Sequence, residues 1–350
     1  MTHRTQIGIP TVVRMKPGAL DRLGIYAERQ GHRRLVLVVS EGLLPQLLTR
    51  AEQSLKGRGA ESVDRLDAAE ASFEAVAAML GALKGDRQAV VGLGGGKALD
   101  VAKYLASLAK LPYYAVPTSL SNDGFCSPQS SLTLVGKRRS LAAAMPFAVV
   151  VDTEVALGAP EPLWWSGVGD LVAKVTAVYD WKLAFHARGE AVDDFAALLS
   201  DASVYQFLGR PERDPEGVRL LALALMLNGI AMEVSGSSRP ASGSEHLISH
   251  ALDSFSARPR LHGLQVGIAA YLSSRLQAQG TDLIAAAFDR TDFWRGVRAD
   301  PFSRREWLEA ARVAPAVKAD RYTVLSTRDC VPEIAAMIDE DPRLNGCFVD

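Results

Sequence analysis

The chain has 350 residues, of which 48% are hydrophobic and 23% are charged, as in an ordinary soluble globular protein of about two domains. This composition excludes disorder, collagen and coiled coil as the main architecture. The 39 Lys and Arg residues balance 40 Asp and Glu residues, for a formal net charge of −1. No basic field therefore predicts a nucleic-acid partner.

The three cysteines form no C-x-x-C pair, which favours a reducing compartment. Residues 1–5 lead into no apolar segment of the kind found in secretory signals. The densest apolar run, residues 220–227, is far shorter than the roughly 20 residues of a membrane-spanning helix. We therefore expect a cytoplasmic protein with no membrane partner.

Short apolar runs alternate with helical patterns in the first part of the chain. Four runs, at residues 35–39, 89–93, 113–116 and 148–151, are continuously apolar, as in strands buried on both faces. Strands and helices at this spacing indicate βαβ units and a parallel sheet. Residues 1–155 are thus predicted to form a Rossmann-like α/β domain that binds a dinucleotide.

Helical patterns replace the strands after the proline-rich stretch 158–162. The predicted helices cover residues 167–185, 191–208, 216–234, 244–255 and 263–279. We expect an all-helical domain over 156–350 and a site in the cleft between the two domains. The arginine-containing segment 290–328 interleaves acidic residues and is interpreted as a solvated helical face.

A glycine turn joins the second run to a helix. Gly94, Gly95 and Gly96 would let the backbone approach a diphosphate at a helix N-terminus, and Lys97 adds a charge. The pattern is not G-x-G-x-x-G, so a tight turn without a ligand is the alternative. Asp100, one turn into the helix, is either a partner of the helix dipole or a ligand contact.

The loop after the third run carries many hydroxyl groups. Thr118, Ser121 and Ser127 can bond a ribose, a diphosphate or a nicotinamide amide, and Asp123 can accept from a substrate hydroxyl. Turn chemistry is the alternative for single members of the set. Glu41 follows the first run, where a carboxylate would take the ribose hydroxyls and favour NAD over NADP, unless it lies in solvent.

Three of the six histidines, His246, His250 and His262, lie within seventeen positions. A helix starting at residue 244 puts His246 and His250 on one face. Asp170, flanked by glycine in an apolar helix, is the best acidic partner for a metal site of three protein ligands. Hydrogen-bonded core histidines and a carboxylate at a helix start are the alternatives.

Five segments then carry a resemblance: GGGKALDVAK, VPTSLSNDGFCSP, GVGDLVAKVTAVYDWKLA, SRPASGSEHLISHALD and LHGLQVG. Together they resemble the sn-glycerol-1-phosphate dehydrogenases, within the superfamily of iron-containing alcohol dehydrogenases, glycerol dehydrogenases and dehydroquinate synthases. The resemblance implies metal ligands at Asp170, His246 and His262, and substrate contacts at His250 and Asp123. It implies NAD(P) contacts at Gly94, Gly95, Gly96, Lys97, Ala98, Thr118, Ser119, Ser121 and Ser127.

The chain departs from the superfamily's sequence pattern at two positions, which affect the choice of metal and the substrate preference. Lys174 stands where iron alcohol dehydrogenases carry a fourth, histidine ligand, so three protein ligands remain. Zinc is then favoured over iron, with nickel also open. Asn122 stands where family members often carry histidine, a change that would alter substrate preference and leave Asp123 in place.

The activity that the resemblance implies is reversible hydride transfer between NAD(P)H and dihydroxyacetone phosphate, giving sn-glycerol 1-phosphate. The metal would act as a Lewis acid, and His250 and Asp123 are the catalytic candidates. Arg239 and Lys174 are the candidate cations for the substrate phosphate, and Asp170 would touch the substrate through the metal. Relatives of this kind imply a homodimer or a larger homo-oligomer.

Four alternatives stay open at this point. A glycerol, polyol or other sugar-phosphate dehydrogenase would keep the fold and change the substrate. A dehydroquinate-synthase-like cyclase would need a lysine-rich site that the region lacks. A catalytically silent binding protein would not need the intact ligand set. A hydrolase would need a G-x-S-x-G turn, which does not occur.

Overall fold

The computed structural model describes residues 7–350 and divides into two compact units, Met1–Ala159 and Pro160–Asp350. The predicted boundary after residue 155 falls inside the helix Thr153–Leu157. Residues 1–5, on which the prediction about a secretory signal rests, lie outside the described residues.

The first unit contains a parallel sheet and a small hairpin. Its strands are β1 (Val12–Lys16), β2 (Arg34–Ser40), β3 (Ser62–Ala68), β4 (Ala89–Gly94), β5 (Tyr113–Pro117), β6 (Gln129–Leu134), β7 (Lys137–Ala142) and β8 (Ala148–Asp152). Its helices are α1 (Leu23–Glu28), α2 (Pro45–Lys56), α3 (Phe73–Ala82), α4 (Gly96–Ala109) and α5 (Thr153–Leu157).

Six strands form the sheet in the order β1-β8-β5-β4-β2-β3, and every neighbouring pair is parallel. The four predicted runs are β2, β4, β5 and β8, so the predicted parallel α/β architecture is confirmed. Their residues are almost all buried, because helices cover both faces of the sheet.

Four strands of the first unit were not predicted. β1 and β3 are the two edge strands, and their sequences, VVRMK and SVDRLDA, mix charged with apolar residues. β6 and β7 pair antiparallel as a separate two-stranded sheet. β7 is mostly exposed, which explains its polar sequence.

The second unit is almost entirely helical. Its elements are α6 (Glu161–Val172), α7 (Lys174–Arg188), α8 (Asp194–Leu208), α9 (Pro215–Ser235), α10 (Ser244–Phe255), α11 (His262–Gln277), α12 (Thr281–Arg290), α13 (Phe293–Ala299), β9 (Phe302–Ser303), α14 (Arg304–Val317), α15 (Val331–Glu340) and β10 (Phe348–Val349). The prediction of one continuous helix over 167–185 was wrong, because the helix breaks at Ala173. Oγ1 of Thr176 lies 2.9 Å from the Ala173 carbonyl, a side-chain contact of the kind found where helices bend.

Helix α9 is longer than the apolar run that marked it in the sequence. Its 21 residues, with a mean hydropathy of 1.6 in the most apolar window, reach the length and composition of a membrane span. However, 67% of that window is buried inside the structure. The core helix of a globular protein passes the same test, so α9 is weak evidence for a span.

Candidate metal centre and cofactor segments

The three predicted metal ligands meet in the second unit. Asp170 lies in the last turn of α6, His246 in the first turn of α10, and His262 is the first residue of α11. One ligand atom from each lies within 4.8 Å of the others. Oδ1 of Asp170 is 3.7 Å from Nε2 of His246 and 3.8 Å from Nε2 of His262. Three separate helices therefore present a carboxylate and two imidazoles to one point.

Two glycines set the spacing of α6 and α11. Gly169 precedes Asp170 and Gly263 follows His262, and the backbones of the two helices touch at these residues. A Cβ added to Gly263 would lie 2.7 Å from Cα of Ser166, and closer still to the carbonyl group of Ser166. The ligands on the two helices can thus approach because neither neighbouring residue has a side chain.

A buried carboxylate orients His246. Nδ1 of His246 lies 2.8 Å from Oε1 of Glu245, and the Thr176 hydroxyl donates to Oε2 of Glu245 at 2.8 Å. The backbone N–H of Gly243 also donates to Oε1. A proton held on Nδ1 by Glu245 leaves Nε2 free to bind a metal, which is the usual arrangement around a ligating histidine.

A polar chain holds His262 in a similar way. Nδ1 of His262 lies 3.3 Å from Oγ of Ser249. Gln265 donates to that oxygen at 2.9 Å and to Oδ1 of Asp253 at 3.0 Å. The ring is therefore oriented with Nε2 toward Asp170.

The charge of Asp170 is compensated by a buried lysine. Nζ of Lys174 donates to Oδ1 of Asp170 at 3.0 Å, and both side chains are almost completely buried. Burial raises the pKa of Asp170, but the Lys174 ammonium and the nearby rings of His246 and His262 outweigh it and hold that pKa far below its usual range. Asp170 is therefore an ionised carboxylate, the form in which it binds a metal.

His250 lies one turn after His246 on α10. Burial, and then the positive charges of His246, His262, Lys318 and Arg321, lower the pKa of His250 well below its ordinary value. The imidazole is therefore neutral near pH 7, with one donor and one acceptor nitrogen.

The two cations predicted for a substrate phosphate both have carboxylate partners. Lys174 pairs with Asp170 as described, and Arg239 forms a two-pronged ion pair with Glu190. Lys318 and Arg321, which the sequence assigned to a solvated helical face, are half-buried instead. That assignment was wrong for Arg321, which donates to the carbonyl of Ser242 at 2.5 Å.

The glycine turn of the first unit lies where the direction of strand connection changes. The chain runs from β2 outward to β3, then returns to β4 on the other side of β2. The carboxyl ends of β2 and β4 are therefore a topological switch point, the usual ligand site of such sheets. Glu41 follows β2 and is exposed there, and Gly94, Gly95 and Gly96 follow β4.

The glycines make this turn narrow. Gly94 has φ of +142°, and the Ser40 hydroxyl accepts from the N–H of Gly95 at 3.0 Å. A Cβ at Gly94 would meet the side chain of Ser40, whereas a Cβ at Gly95 would meet nothing. The N-terminus of α4 thus opens onto free space beside two strand ends, as a diphosphate site requires.

The other predicted cofactor residues surround this turn or continue α4. Lys97 donates to the carbonyl of Ala69 at 3.0 Å, and Ala98 is buried in α4. Thr118 donates its N–H to the Gly94 carbonyl at 3.0 Å. Ser119 is buried, whereas Ser121 is partly exposed in the loop after β5.

A buried lysine fixes the loop that contains Asp123 and Ser127. Lys103 of α4 donates to the carbonyls of Gly124 and Gln129 and lies 3.2 Å from Oγ of Ser127. Lys103 also forms an ion pair with Asp100 at 3.4 Å. Asp100 is therefore connected to this loop indirectly, by its ion pair with Lys103. Asp123 begins the 3-10 turn Asp123–Cys126.

Comparisons with known proteins agree with this architecture. Residues 14–160 match the family model described as iron-containing alcohol dehydrogenase. The glycerol-1-phosphate dehydrogenase [NAD(P)+] of Methanothermobacter thermautotrophicus is 33% identical over 335 residues, covering 94% of this chain and 96% of the relative. The enzyme of the same name from Aeropyrum pernix is 34% identical, covering 95% and 96%.

The fold is also found among solved structures. Glycerol dehydrogenase from Schizosaccharomyces pombe superposes with a TM-score of 0.76 at 16% identity, covering 96% of this chain and 92% of that one. At this identity the likeness concerns the fold alone. Identity above 30% over nearly the full length of named relatives places the chain in the glycerol-1-phosphate dehydrogenase family, within the iron-containing alcohol dehydrogenases.

Proposed function

We propose that this chain is a metal-dependent oxidoreductase that interconverts dihydroxyacetone phosphate and sn-glycerol 1-phosphate with NAD(P)H. The observation that carries the proposal is the meeting of Asp170, His246 and His262 within 4.8 Å. The names of the relatives supply the substrate class and the nicotinamide cofactor. The intact ligand set argues against a catalytically silent binding protein.

The donor set fits a divalent metal ion. Two imidazoles and one carboxylate with an open fourth position are the pattern of catalytic zinc sites. Lys174 offers an ammonium that already pairs with Asp170, so it adds no fourth ligand. We therefore propose zinc, and nickel or iron would be identified by metal analysis. When bound, the divalent ion supplies Lewis-acid polarisation of the ketone carbonyl.

The first unit would bind the dinucleotide. The open space at Gly95 and the N-terminus of α4 suit the diphosphate. Glu41 would accept hydrogen bonds from the ribose hydroxyls and repel a 2′-phosphate, so NAD is favoured over NADP. Thr118, Ser119, Ser121 and Ser127 stay predicted contacts of the cofactor, and Asp123 stays a predicted contact of the substrate.

His250 would supply the proton that ketone reduction requires. A neutral imidazole can give its N–H proton to the substrate oxygen and accept another from water at its second nitrogen. Its place one turn from His246 puts it beside the proposed carbonyl site. Glu245 and Ser249 would hold the two ligating rings in position.

The test uses the purified protein with its metal content measured by mass spectrometry. We expect NADH oxidation with dihydroxyacetone phosphate and little with dihydroxyacetone, and a product that an enzyme specific for the 3-phosphate enantiomer rejects. His246→Ala should lose both metal and activity, whereas the exposed His186→Ala should keep both. Equal rates with and without the phosphate would indicate a polyol dehydrogenase instead.

We also expect a cytoplasmic homodimer or larger homo-oligomer. Light scattering on the eluting holoenzyme measures its mass in solution, and a monomer would contradict this expectation. Fractionation of cells that produce the protein tests its location. Recovery in the membrane fraction would contradict the interpretation of α9 as a buried core helix.

A further inference from the structure

Two cations lie where the segment after α14 meets the loop before α10. Arg321 donates from Nη1 to the carbonyl of Ser242 at 2.5 Å and from Nη2 to Oγ of Ser238 at 2.9 Å. Lys318 is the residue directly after α14, and its carbonyl accepts from the N–H of Arg321 at 2.9 Å. These bonds fix the turn 318–321 against the loop that leads into α10.

A buried aspartate strengthens the same junction. Asp180 of α7 accepts from the N–H of Ser244 at 2.6 Å and from the N–H of Val324 at 2.8 Å. Arg239 adds a further link, because its Nη1 donates to the carbonyl of Tyr322 at 2.8 Å. The positions of Lys318 and Arg321 relative to α10 are therefore determined by several independent bonds.

The charges of Lys318 and Arg321 lack an acidic partner in contact with them. Within residues 7–350, Lys318 forms no hydrogen bond or ion pair through its ammonium, and Arg321 bonds only to uncharged oxygens. Arg239, by contrast, is paired with Glu190. Burial and the neighbouring guanidiniums lower the pKa of Lys318 to about 8. Asp320 acts on both cations and Glu245 acts on Arg321, but in the described part of the chain neither carboxylate is in contact with them. Two half-buried cations without a contacting carboxylate form a site that an anion would stabilise.

This pair of cations lies close to the metal centre. Helix α14 packs along α10, and Arg321 donates to the carbonyl of Ser242, which lies four residues before the proposed ligand His246. These cations are therefore the candidate partners for the phosphate of a ligand held at the metal centre. Lys174 and Arg239 are less suitable, because each already neutralises a carboxylate.

We propose that Lys318 and Arg321 bind the phosphate group of the substrate and so determine the preference for a phosphorylated ketone. This inference rests on the proposed function, since it supplies the binding site for the part of the substrate that the metal does not hold. Lys318 and Arg321 would then determine substrate specificity from the segment after α14, which carries no recognisable sequence motif.

The test compares Lys318→Ala and Lys318→Arg with the native holoenzyme, and Lys182→Ala serves as the matched control. Lys182 is an exposed lysine of the same unit. Loss of one charged hydrogen bond should lower kcat/KM for dihydroxyacetone phosphate by about 10- to 100-fold. The rate with dihydroxyacetone should not change. Inorganic phosphate should inhibit the native enzyme competitively. It should bind Lys318→Ala more weakly by a similar factor, and Lys318→Arg should recover most of the loss.

The outcomes separate this inference from the proposed function. Unchanged phosphate inhibition in Lys318→Ala would overturn the anion site, even where dihydroxyacetone phosphate remains the substrate. A native enzyme that does not turn over dihydroxyacetone phosphate would overturn the proposed function instead. The anion site would then be judged by whether inorganic phosphate raises the melting temperature of the native protein and not of Lys318→Ala.

Discussion

Replacing Gly263 by alanine should damage the metal centre without changing any ligand. The new Cβ would lie 2.7 Å from Cα of Ser166, whereas an ordinary contact begins near 3.4 Å. Helices α6 and α11 would then have to separate by at least about 0.7 Å, and overpacking of this kind costs about 1–3 kcal/mol. Metal ligands tolerate only about 0.2 Å of displacement, so Asp170 and His262 would no longer fit one ion.

Two measurements check this expectation. Chelator competition should show metal affinity at least tenfold weaker in Gly263→Ala, and thermal unfolding should begin at a lower temperature. Gly81→Ala is the matched control, because Gly81 lies in helix α3 and its added Cβ would meet nothing. That control should be slightly stabilised, since alanine favours helix over glycine. Native metal affinity in Gly263→Ala would refute the argument that the glycine contact positions the ligands.

Three further outcomes are expected. Glu245→Gln should weaken metal binding by about 10- to 100-fold, because the carboxylate that orients His246 is lost. His250→Ala should lower kcat by about 10²- to 10⁴-fold while the metal content stays native, because only proton transfer is removed. In the native enzyme, kcat/KM for dihydroxyacetone phosphate should fall as pH rises through about 8, where Lys318 loses its proton.

Each of these outcomes has a control. Glu212→Gln changes an exposed carboxylate and should leave metal affinity unchanged. Loss of metal from His250→Ala would show that this histidine is a ligand rather than a proton donor. The groups acting on Lys318 are Arg321, Arg239 and Asp320, so the pH effect is assigned to Lys318 only if it disappears in Lys318→Ala. Persistence of the same fall in that variant would contradict the assignment.

The sheet could be predicted where its strands are covered on both sides. Such strands are continuously apolar, as β2, β4, β5 and β8 are, and this pattern is visible in the sequence alone. β1 and β3 are edge strands with mixed composition, so they carry no comparable pattern. The expected cleft between the domains stays a prediction.

The meeting of Asp170, His246 and His262 could be anticipated because histidines are rare in this chain and three of them cluster; their role as metal ligands stays a prediction. The helix phase placed His246 and His250 on one face. Asp170 was the best acidic candidate from its glycine-flanked place in an apolar helix, and the resemblance pointed to the same residue. Lys318 and Arg321 could not be found in this way. Arg321 donates hydrogen bonds to Ser238 and Ser242, about eighty residues earlier in the chain. A contact over this separation leaves no pattern in the local sequence.

All three proposed metal ligands belong to the unit Pro160–Asp350, whereas the glycine turn belongs to Met1–Ala159. A ligand that binds only the folded state raises the stability of the part that holds it. Chelation should therefore lower the melting temperature of the helical unit, and dinucleotide should raise that of the sheet-containing unit. Calorimetry of the metal-free protein with added NAD should then show two unfolding transitions. Metal would shift the transition of the helical unit, and NAD would shift that of the sheet-containing unit.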